Sequence, residues 1–199
     1  MDIFKNHLTD WLILFGIIAS ALYTLRIIGE EKSSFKDEAT VLEFSNLKLQ
    51  IPNWWSITEQ TDHRLRFART DTRYDWYALF QFYPGASLKT LPKILEELLN
   101  DQNIEFDLDV VFETDSRVLF RDSIIQEHFQ EVIRVEGKAS ENIVDRIYYD
   151  LFLMRNKDDE GYFVFESKSS VLNGLVEGPY FEESLAELSF IHETQLPSS

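Results

Sequence analysis

Three consecutive runs, IIQEHFQEVIRVEG (124–137), NIVDRIYYDLFLMR (142–155) and GYFVFESKS (161–169), dominate the second half of the chain. They are rich in β-branched and aromatic residues, which favour strands. Polar residues at 138–141 and 157–160 separate the runs, and we predict a hairpin turn at each break. The runs therefore predict a long antiparallel meander, the framework of an α+β fold.

Shorter strand patterns precede this meander. VLEFSNLKLQIP (41–52) alternates apolar and polar residues on either side of Ser45-Asn46, which is typical of a tight hairpin. Further strands are predicted at WWSIT (54–58), RLRFART (64–70), WYALFQFY (76–83), FDLDVVFE (106–113) and RVLFRD (117–122).

Two segments carry helical spacing instead. The first lies within Ser87–Gln102, with Ser87 or Thr90 as its cap and Pro92 in its first turn. The second is predicted to start near Pro179 and to place Phe181, Leu185, Leu188 and Ile191 on one side. The order of elements predicts an antiparallel sheet covered by helices.

The segment WLILFGIIASALYTLRII (11–28) predicts a transmembrane helix. Its length as a helix is about 27 Å, close to the thickness of the hydrocarbon core. Its one charge, Arg26, lies near an end and can reach the interface. Gly16, Ser20 and Thr24 are four residues apart, so they form a stripe of small residues that would let another helix approach closely.

We interpret this segment as an uncleaved single-pass signal-anchor. A cleaved signal peptide, with Ala19-Ser20-Ala21 as the cleavage site, and a buried or interfacial helix are the alternatives. The positive-inside rule leans towards an internal C-terminal domain, whereas the short N-terminal tail favours export, which we predict. The predicted division is an anchor (1–29), a polar linker (30–39), an acidic globular domain (40–192) and a tail (193–199).

Composition excludes several classes of function. The formal net charge is −16, and all of it lies after residue 29, so nucleic acid is a poor partner. The chain has no cysteine, which removes disulfides and thiolate chemistry. Phosphate-binding and hydrolase motifs are absent, and the four histidines share no ligand spacing. We therefore predict no catalytic residue, no cofactor and no metal.

One cluster of residues predicts a partner contact. Four of the ten arginines fall within ten residues, after a pair of tryptophans. Arginine and tryptophan are enriched at interface hot spots. The alternative is that the arginines pair with acids on neighbouring strands while the tryptophans fill the core. The candidate contact residues are Trp54, Trp55, Arg64, Arg66, Arg69 and Arg73.

Two acidic patterns resemble functional sites but favour simpler interpretations. Asn156–Gly161 imitates the start of an EF-hand loop, but the twelfth position is Ser167 instead of glutamate, so a charged hairpin turn is expected. Asp107 and Asp109 alternate on one face of a predicted strand, which is typical of a solvated face.

Three short motifs carry a family resemblance. They are a Pro-x-x-Trp turn (Pro52 to Trp55), a Ser-Leu helix start in FYPGASLKTLPKIL, and a C-terminal phenylalanine helix ending in Ser189-Phe190. With them the chain resembles the PsbP-like superfamily over about residues 42–192, a group that includes photosystem II extrinsic proteins, Ran-binding Mog proteins and DcrB-type envelope proteins. The resemblance implies an α/β/α sandwich and an accessory binding role. The lipidated cysteine of DcrB-type proteins is absent, and the apolar helix would replace the lipid.

These features together predict a non-catalytic, membrane-tethered binding or scaffold domain, an accessory subunit of a membrane or envelope complex. Its predicted partners are the membrane and other envelope proteins. A small-molecule receptor domain and a carboxylate-based enzyme are the alternatives; the first needs an apolar cavity, the second a cleft with shifted pKa values.

Overall fold

The structure of the protein is a computed structural model, which describes residues 3–69, 75–85, 89–157 and 161–191. The chain divides into two compact units, Met1–Ala39 and Thr40–Ser199, and each is described by itself. The described part of the first unit is the helix α1 (Ile3–Glu38). Its segment Thr9–Ile27 has a mean hydropathy of 1.5 and is 0% buried, so it is long and apolar enough to cross a membrane. The predicted N-terminal apolar helix is confirmed.

Helix α1 continues through residues 30–38, which we expected to form a polar linker. This stretch contains no glycine or proline, and side chains four residues apart support the helix. Arg26 Nε lies 2.7 Å from Glu30 Oε1, and Ser33 Oγ donates to Asp37 at 3.2 Å. The stretch is helical, and its role as a connection between an anchor and a domain stays a prediction.

The described part of the second unit contains strands and four helices. The strands are β1 (Thr40–Phe44), β2 (Leu47–Ile51), β3 (Trp55–Thr61), β4 (Arg64–Arg69), β5 (Trp76–Pro84), β6 (Ile104–Phe106), β7 (Val111–Glu113), β8 (Phe129–Glu141), β9 (Asp145–Asn156), β10 (Gly161–Ser170) and β11 (Ser189–Phe190). The helices are α2 (Leu91–Asp101), α3 (Ser116–Leu119), α4 (Ser123–His128) and α5 (Val171–Ala186).

The strands form two antiparallel sheets. The large sheet has the order β3-β4-β5-β10-β9-β8-β6, with β7 also paired to β8, and β1-β2-β11 form the small sheet. Helix α2 covers one face of the large sheet, where Leu91 joins a core with Leu151. Helix α5 covers the other face, where Phe181 joins an aromatic core with Phe152. This α/β/α sandwich confirms the predicted α+β fold class.

The β8–β9–β10 meander confirms the central prediction, but its first turn lies further along the chain than we expected. Residues 138–141 remain paired, since Lys138 faces Tyr148 and Glu141 faces Asp145. The turn is formed instead at residues 142–144. Asn142 and Ile143 have positive φ angles of 50° and 72°, and asparagine is among the residues that tolerate this region. The Ser45-Asn46 hairpin is confirmed, with positive φ at both residues.

The strand predicted at 117–122 is wrong, and the one predicted at 124–137 begins as a helix. Residues 117–122 and the first part of 124–137 contain α3 and α4. Asp115 accepts a hydrogen bond from the backbone N–H of Arg117 at 2.9 Å, and Asp122 accepts from that of Ile124 at 2.7 Å. These caps satisfy donors at the helix N-termini, which offsets the strand preference of the valine, isoleucine and phenylalanine residues. The predicted strand at 106–113 is likewise divided into β6 and β7, which both pair with β8.

Helix α5 starts at Val171, not near Pro179 as predicted. Pro179 lies inside the helix. Proline has no backbone N–H and is usually tolerated only in the first turn of a helix, so its position was misread as a helix start. Phe181, Leu185 and Leu188 are fully buried, as the predicted apolar side requires. Ile191 lies beyond the helix, after β11. The helix predicted within Ser87–Gln102 is α2. Its cap is Thr90 and Pro92 lies in its first turn, whereas Ser87 lies outside the described residues.

Two glycines of α5 face Tyr148 of β9, and the close contact requires the first of them. A Cβ atom built on Gly174 would overlap the Cβ and Cγ atoms of Tyr148, whereas one on Gly178 would lie 3.7 Å from Tyr148 Cε1, an ordinary contact. The two glycines lie one turn apart on the same helix, so they form a matched pair.

We expect Gly174→Ala to lower the free energy of unfolding by about 1–3 kcal/mol, because the methyl group must push α5 away from β9. Gly178→Ala should leave stability unchanged or raise it by up to about 1 kcal/mol, because alanine favours the helix and the site has room. Urea unfolding followed by tryptophan fluorescence measures both. Equal effects of the two substitutions would contradict this packing.

Candidate interaction surface

Three of the residues predicted to contact a partner lie against one buried carboxylate on α5. Glu177 Oε2 accepts a hydrogen bond from Trp55 Nε1 at 2.9 Å and lies 3.5 Å from Trp54 Nε1. Arg69 forms an ion pair with Glu177 Oε1, and the two side chains are 13% and 3% exposed. The Arg69 guanidinium also lies 5.8 Å from the centre of the Trp54 ring. These contacts fasten α5 to β4 and to the beginning of β3.

Arg64 and Arg66 lie on the opposite face of the large sheet. Residues 64 and 66 alternate along β4 with the buried Leu65 and Phe67, so they face the α2 side. Arg64 Nε lies 3.2 Å from Glu59 Oε1. Arg66 lies over the Tyr77 ring at 4.6 Å. Arg73 lies outside the described residues. The five described residues therefore lie on both faces of the sheet, and their contact with a partner stays a prediction.

The stripe of small residues lies on α1 within the first unit. Gly16, Ser20 and Thr24 all belong to the exposed segment of that helix. Thr24 Oγ1 donates to the carbonyl of Ser20 at 2.9 Å, so this hydroxyl is already satisfied within the helix. A helix contact there would depend on close packing of small residues, and it stays a prediction.

A second polar cluster lies beneath α5. Arg134 is 6% exposed and binds Asp150, with Nη2 at 3.0 Å from Oδ2. The same guanidinium lies 2.7 Å from Glu136 and 3.2 Å from Glu182 of α5. Three carboxylates therefore share one guanidinium. Burial raises the pKa of Asp150 to about 7, although the charge of Arg134 opposes this shift.

The geometry of this cluster does not suit catalysis. Asp150 is 1% exposed, so its carboxyl group cannot reach a substrate without movement of α5.

Asp107, one of the acidic pair noted in the sequence, is bound by Arg146, and this hydrogen bond lowers its pKa. Asp109 lies 3.8 Å from Lys138. A carboxyl group with a lowered pKa is a poor general acid.

A groove of about 780 Å³ opens on the α2 side, at the end of the sheet where β10 finishes. Its volume lies within the range of about 300–1,000 Å³ that is usual for small-molecule sites. Its lining, however, includes Arg66, Glu141 and Lys168, and the last two form an ion pair at 2.5 Å. Small-molecule pockets are mostly apolar, so this groove matches the receptor alternative in size but not in character.

Beside this groove, Glu166 is buried and fully engaged. It accepts hydrogen bonds from Tyr149 Oη at 2.6 Å and from Gln102 Nε2 at 2.9 Å. Burial, together with the charge of Glu166, raises the pKa of Tyr77 and of Tyr149. Both phenols therefore stay protonated at physiological pH and serve as hydrogen-bond donors.

No group of three or more histidine, aspartate or glutamate side chains is placed to hold a metal ion among the residues that the structure describes. The strands β9 and β10 on either side of the EF-hand-like segment pair antiparallel, and residues 158–160 of the segment lie outside the described ranges.

The sequence patterns missed the outer face of α5. Leu172, Leu175 and Val176 are 76%, 61% and 50% exposed. They follow the spacing i, i+3, i+4 and therefore lie on one side of the helix, opposite the side that Phe181 buries. The signal was present in VLNGLVEGPYF (171–181). It was lost because the helix was predicted to start near Pro179.

Comparisons with known proteins return structures of similar fold. No protein-family model and no curated protein matches the chain. The Ran-binding protein Mog1p of Saccharomyces cerevisiae matches with 9% identity and a TM-score of 0.47, over 77% of this chain and 95% of that chain. Cyanobacterial PsbP of Synechocystis sp. PCC 6803 matches with 10% identity and a TM-score of 0.49, over 76% and 92%. A Pseudomonas aeruginosa protein of unknown function matches with 7% identity and a TM-score of 0.43, over 81% and 98%.

The matches include a Mog protein and a PsbP protein, which are groups that the sequence resembles. At these identities and TM-scores the likeness concerns the fold alone. The Pro-x-x-Trp motif of that resemblance forms a turn in which Trp55 N–H donates to Pro52 O at 3.2 Å. Ser189-Phe190 forms β11, which pairs with β2.

We expect Glu177→Ala to lower the free energy of unfolding by about 3–5 kcal/mol, because it removes the carboxylate from beside a nearly buried guanidinium. Glu177→Gln should cost less, because its amide oxygen still accepts from Trp55. Urea unfolding of both variants checks this. A Glu177→Ala variant within about 1 kcal/mol of the native chain would mean that the carboxylate does not hold α5.

The Arg134 cluster predicts a pH dependence of stability. The pKa of Asp150 is about 7 in the folded chain and near 4 when unfolded, so the unfolded state releases its proton first. The contribution of Asp150 to stability is therefore complete below about pH 4 and is lost as the pH rises through 7. Between these values the free energy of unfolding of the native chain should fall with rising pH relative to that of Asp150→Asn. A difference in free energy of unfolding between the two chains that is the same at pH 5, 6 and 7 would contradict the raised pKa.

Proposed function

We propose that this chain is a membrane-anchored, non-catalytic domain that binds another protein. The observation that carries the proposal is the exposed apolar surface of Leu172, Leu175 and Val176 on α5. Exposed apolar side chains that cluster on one face of a helix are typical of protein interaction sites. The inner side of the same helix is held by Glu177, so this surface has a fixed position on the domain.

The anchor is the segment Thr9–Ile27 of α1. Its length and hydropathy support a single span. We propose that the acidic domain lies on the exported side, in an accessory subunit of an envelope complex. An acidic domain is repelled by anionic headgroups, so an apolar helix is the part of the chain suited to hold it at the membrane.

The charged side chains support a binding role rather than catalysis. The buried carboxylates Asp150, Glu166 and Glu177 are each bound by protein donors, which leaves none of the three directed at solvent. The groove on the α2 side has ion-paired walls, so a protein surface is a better candidate for the binding site than this groove.

A photo-crosslinking experiment tests the anchor and the binding surface together. A benzophenone amino acid replaces Val176 in the full chain, and a matched variant carries it at Ile124 on α4, which is similarly exposed. After irradiation of membranes of the host cell and an alkaline wash, we expect a protein adduct in the membrane pellet from position 176 only. Absence of an adduct, or equal adducts from both positions, would contradict the binding surface.

The same experiment with Ile18→Lys isolates the anchor. A lysine at the middle of the span raises the cost of insertion by about 2.5–3.5 kcal/mol, so more of the chain should appear in the alkaline supernatant. An unchanged distribution would show that α1 does not hold the chain in the membrane.

A further inference from the structure

The outer face of α5 has two halves of different character. Its first half carries the apolar residues Leu172, Leu175 and Val176, followed by the exposed Pro179. The same side of the helix then carries acidic residues, since positions 183 and 187 continue the i, i+4 spacing from 179. Glu182, beside them, has a side chain that is 53% exposed. The face is therefore apolar at its N-terminal end and acidic at its C-terminal end.

The acidic half keeps an excess of negative charge. Arg121 binds both Glu183, at 2.6 Å, and Glu187. Glu182 shares Arg134 with Asp150 and Glu136, so that guanidinium is already surrounded by carboxylates. Glu182, Glu183 and Glu187 thus bring three negative charges to this half, and Arg121 brings one positive charge. A partner that brings positive charge to this half would be attracted.

The dimensions of the face fit a helix. From Leu172 to Glu187 it extends about 22 Å along the axis, which corresponds to about four helical turns. Ridges on a second helix can pack between side chains spaced at i, i+3 and i+4. Lipid headgroups suit the face less well, because anionic lipids repel its acidic half and the whole second unit is acidic.

We propose that the partner contacts this face through a basic amphipathic helix, with apolar residues against Leu172, Leu175 and Val176 and with lysine or arginine against Glu182, Glu183 and Glu187. This inference rests on the proposed protein-binding function and specifies the chemistry of the partner. It is helix-on-helix recognition in which burial of apolar area supplies affinity and the charges set direction.

The test uses the full chain in phosphatidylcholine nanodiscs and three fluorescent peptides of about 18 residues. The first contains leucine at i, i+3, i+4 and i+7 near one end and lysine on the same side near the other end. The second has the same composition in scrambled order, and the third has glutamate in place of lysine. Fluorescence anisotropy measures binding, and nanodiscs without protein correct for partition into lipid.

We expect the first peptide to bind at least about tenfold more tightly than the other two. Leu172→Ser/Leu175→Ser/Val176→Ser should weaken its binding by about tenfold or more, and Glu182→Gln/Glu183→Gln/Glu187→Gln should reduce both affinity and the dependence on salt. The matched control, Val118→Ser/Ile124→Ser, removes exposed apolar residues elsewhere and should leave affinity unchanged. Circular dichroism checks that each variant is folded, and the glutamine variant tests the acidic half even if the serine variant unfolds.

Equal binding of the ordered and scrambled peptides would overturn the inference, because it would show unspecific attraction to an acidic protein. Equal binding to empty nanodiscs, or to the serine variant in its folded form, would also overturn it. If these results occur while position 176 still crosslinks to a protein in membranes, the proposed function stands and only the chemistry of the partner is wrong.

Discussion

The buried carboxylate of Glu177 is the contact on which the arrangement of α5 depends. It receives hydrogen bonds from Trp55 and an ion pair from Arg69, so it joins the helix to β3 and β4 from within the core. A buried carboxylate is costly unless it is paired, which means that α5 can satisfy it in one rotational setting only. The close approach of Gly174 to Tyr148, one turn earlier on the inner side of the helix, fixes the same setting. With its inner side determined in this way, α5 must present Leu172, Leu175 and Val176 to solvent.

The distribution of charge follows a similar division between inside and outside. Several of the cations are used for internal ties, such as Arg69 with Glu177 and Arg134 with Asp150. Others join neighbouring segments at the surface, as Arg146 does with Asp107. Acidic side chains outnumber basic ones by sixteen overall. Because many of the basic side chains form these ion pairs, the surface has an excess of negative charge. Such a surface keeps the domain soluble despite an exposed apolar helix face, and it selects against negatively charged partners.

The sequence predicted those parts of the fold in which local pattern and tertiary structure agree. The strands β9 and β10 are long and apolar, and Ser45-Asn46 adopts the turn that its residues favour. Prediction failed where one polar residue outweighed the pattern, as at Asp115 and Asp122, whose caps convert strand-like sequence into α3 and α4. It also failed at Pro179, where packing against the core holds a helix together despite a missing hydrogen bond. The candidate interaction surface on α5 was missed for the same reason. That Arg64 and Arg66 lie on the opposite face of the sheet from Arg69 could be assigned only from the strand register.

An anchor and an exposed binding face would reinforce one another in the proposed function. Attachment to a membrane confines the domain and a membrane-bound partner to a thin layer, which raises their effective concentration towards the millimolar range when the connection is short. A face of about four helical turns, with a few apolar anchors, needs only a modest intrinsic affinity to be occupied under these conditions. Weak intrinsic affinity also limits unwanted association of the apolar face before the chain reaches the membrane. The limited apolar area of α5 is therefore consistent with a surface that acts only where the anchor holds it.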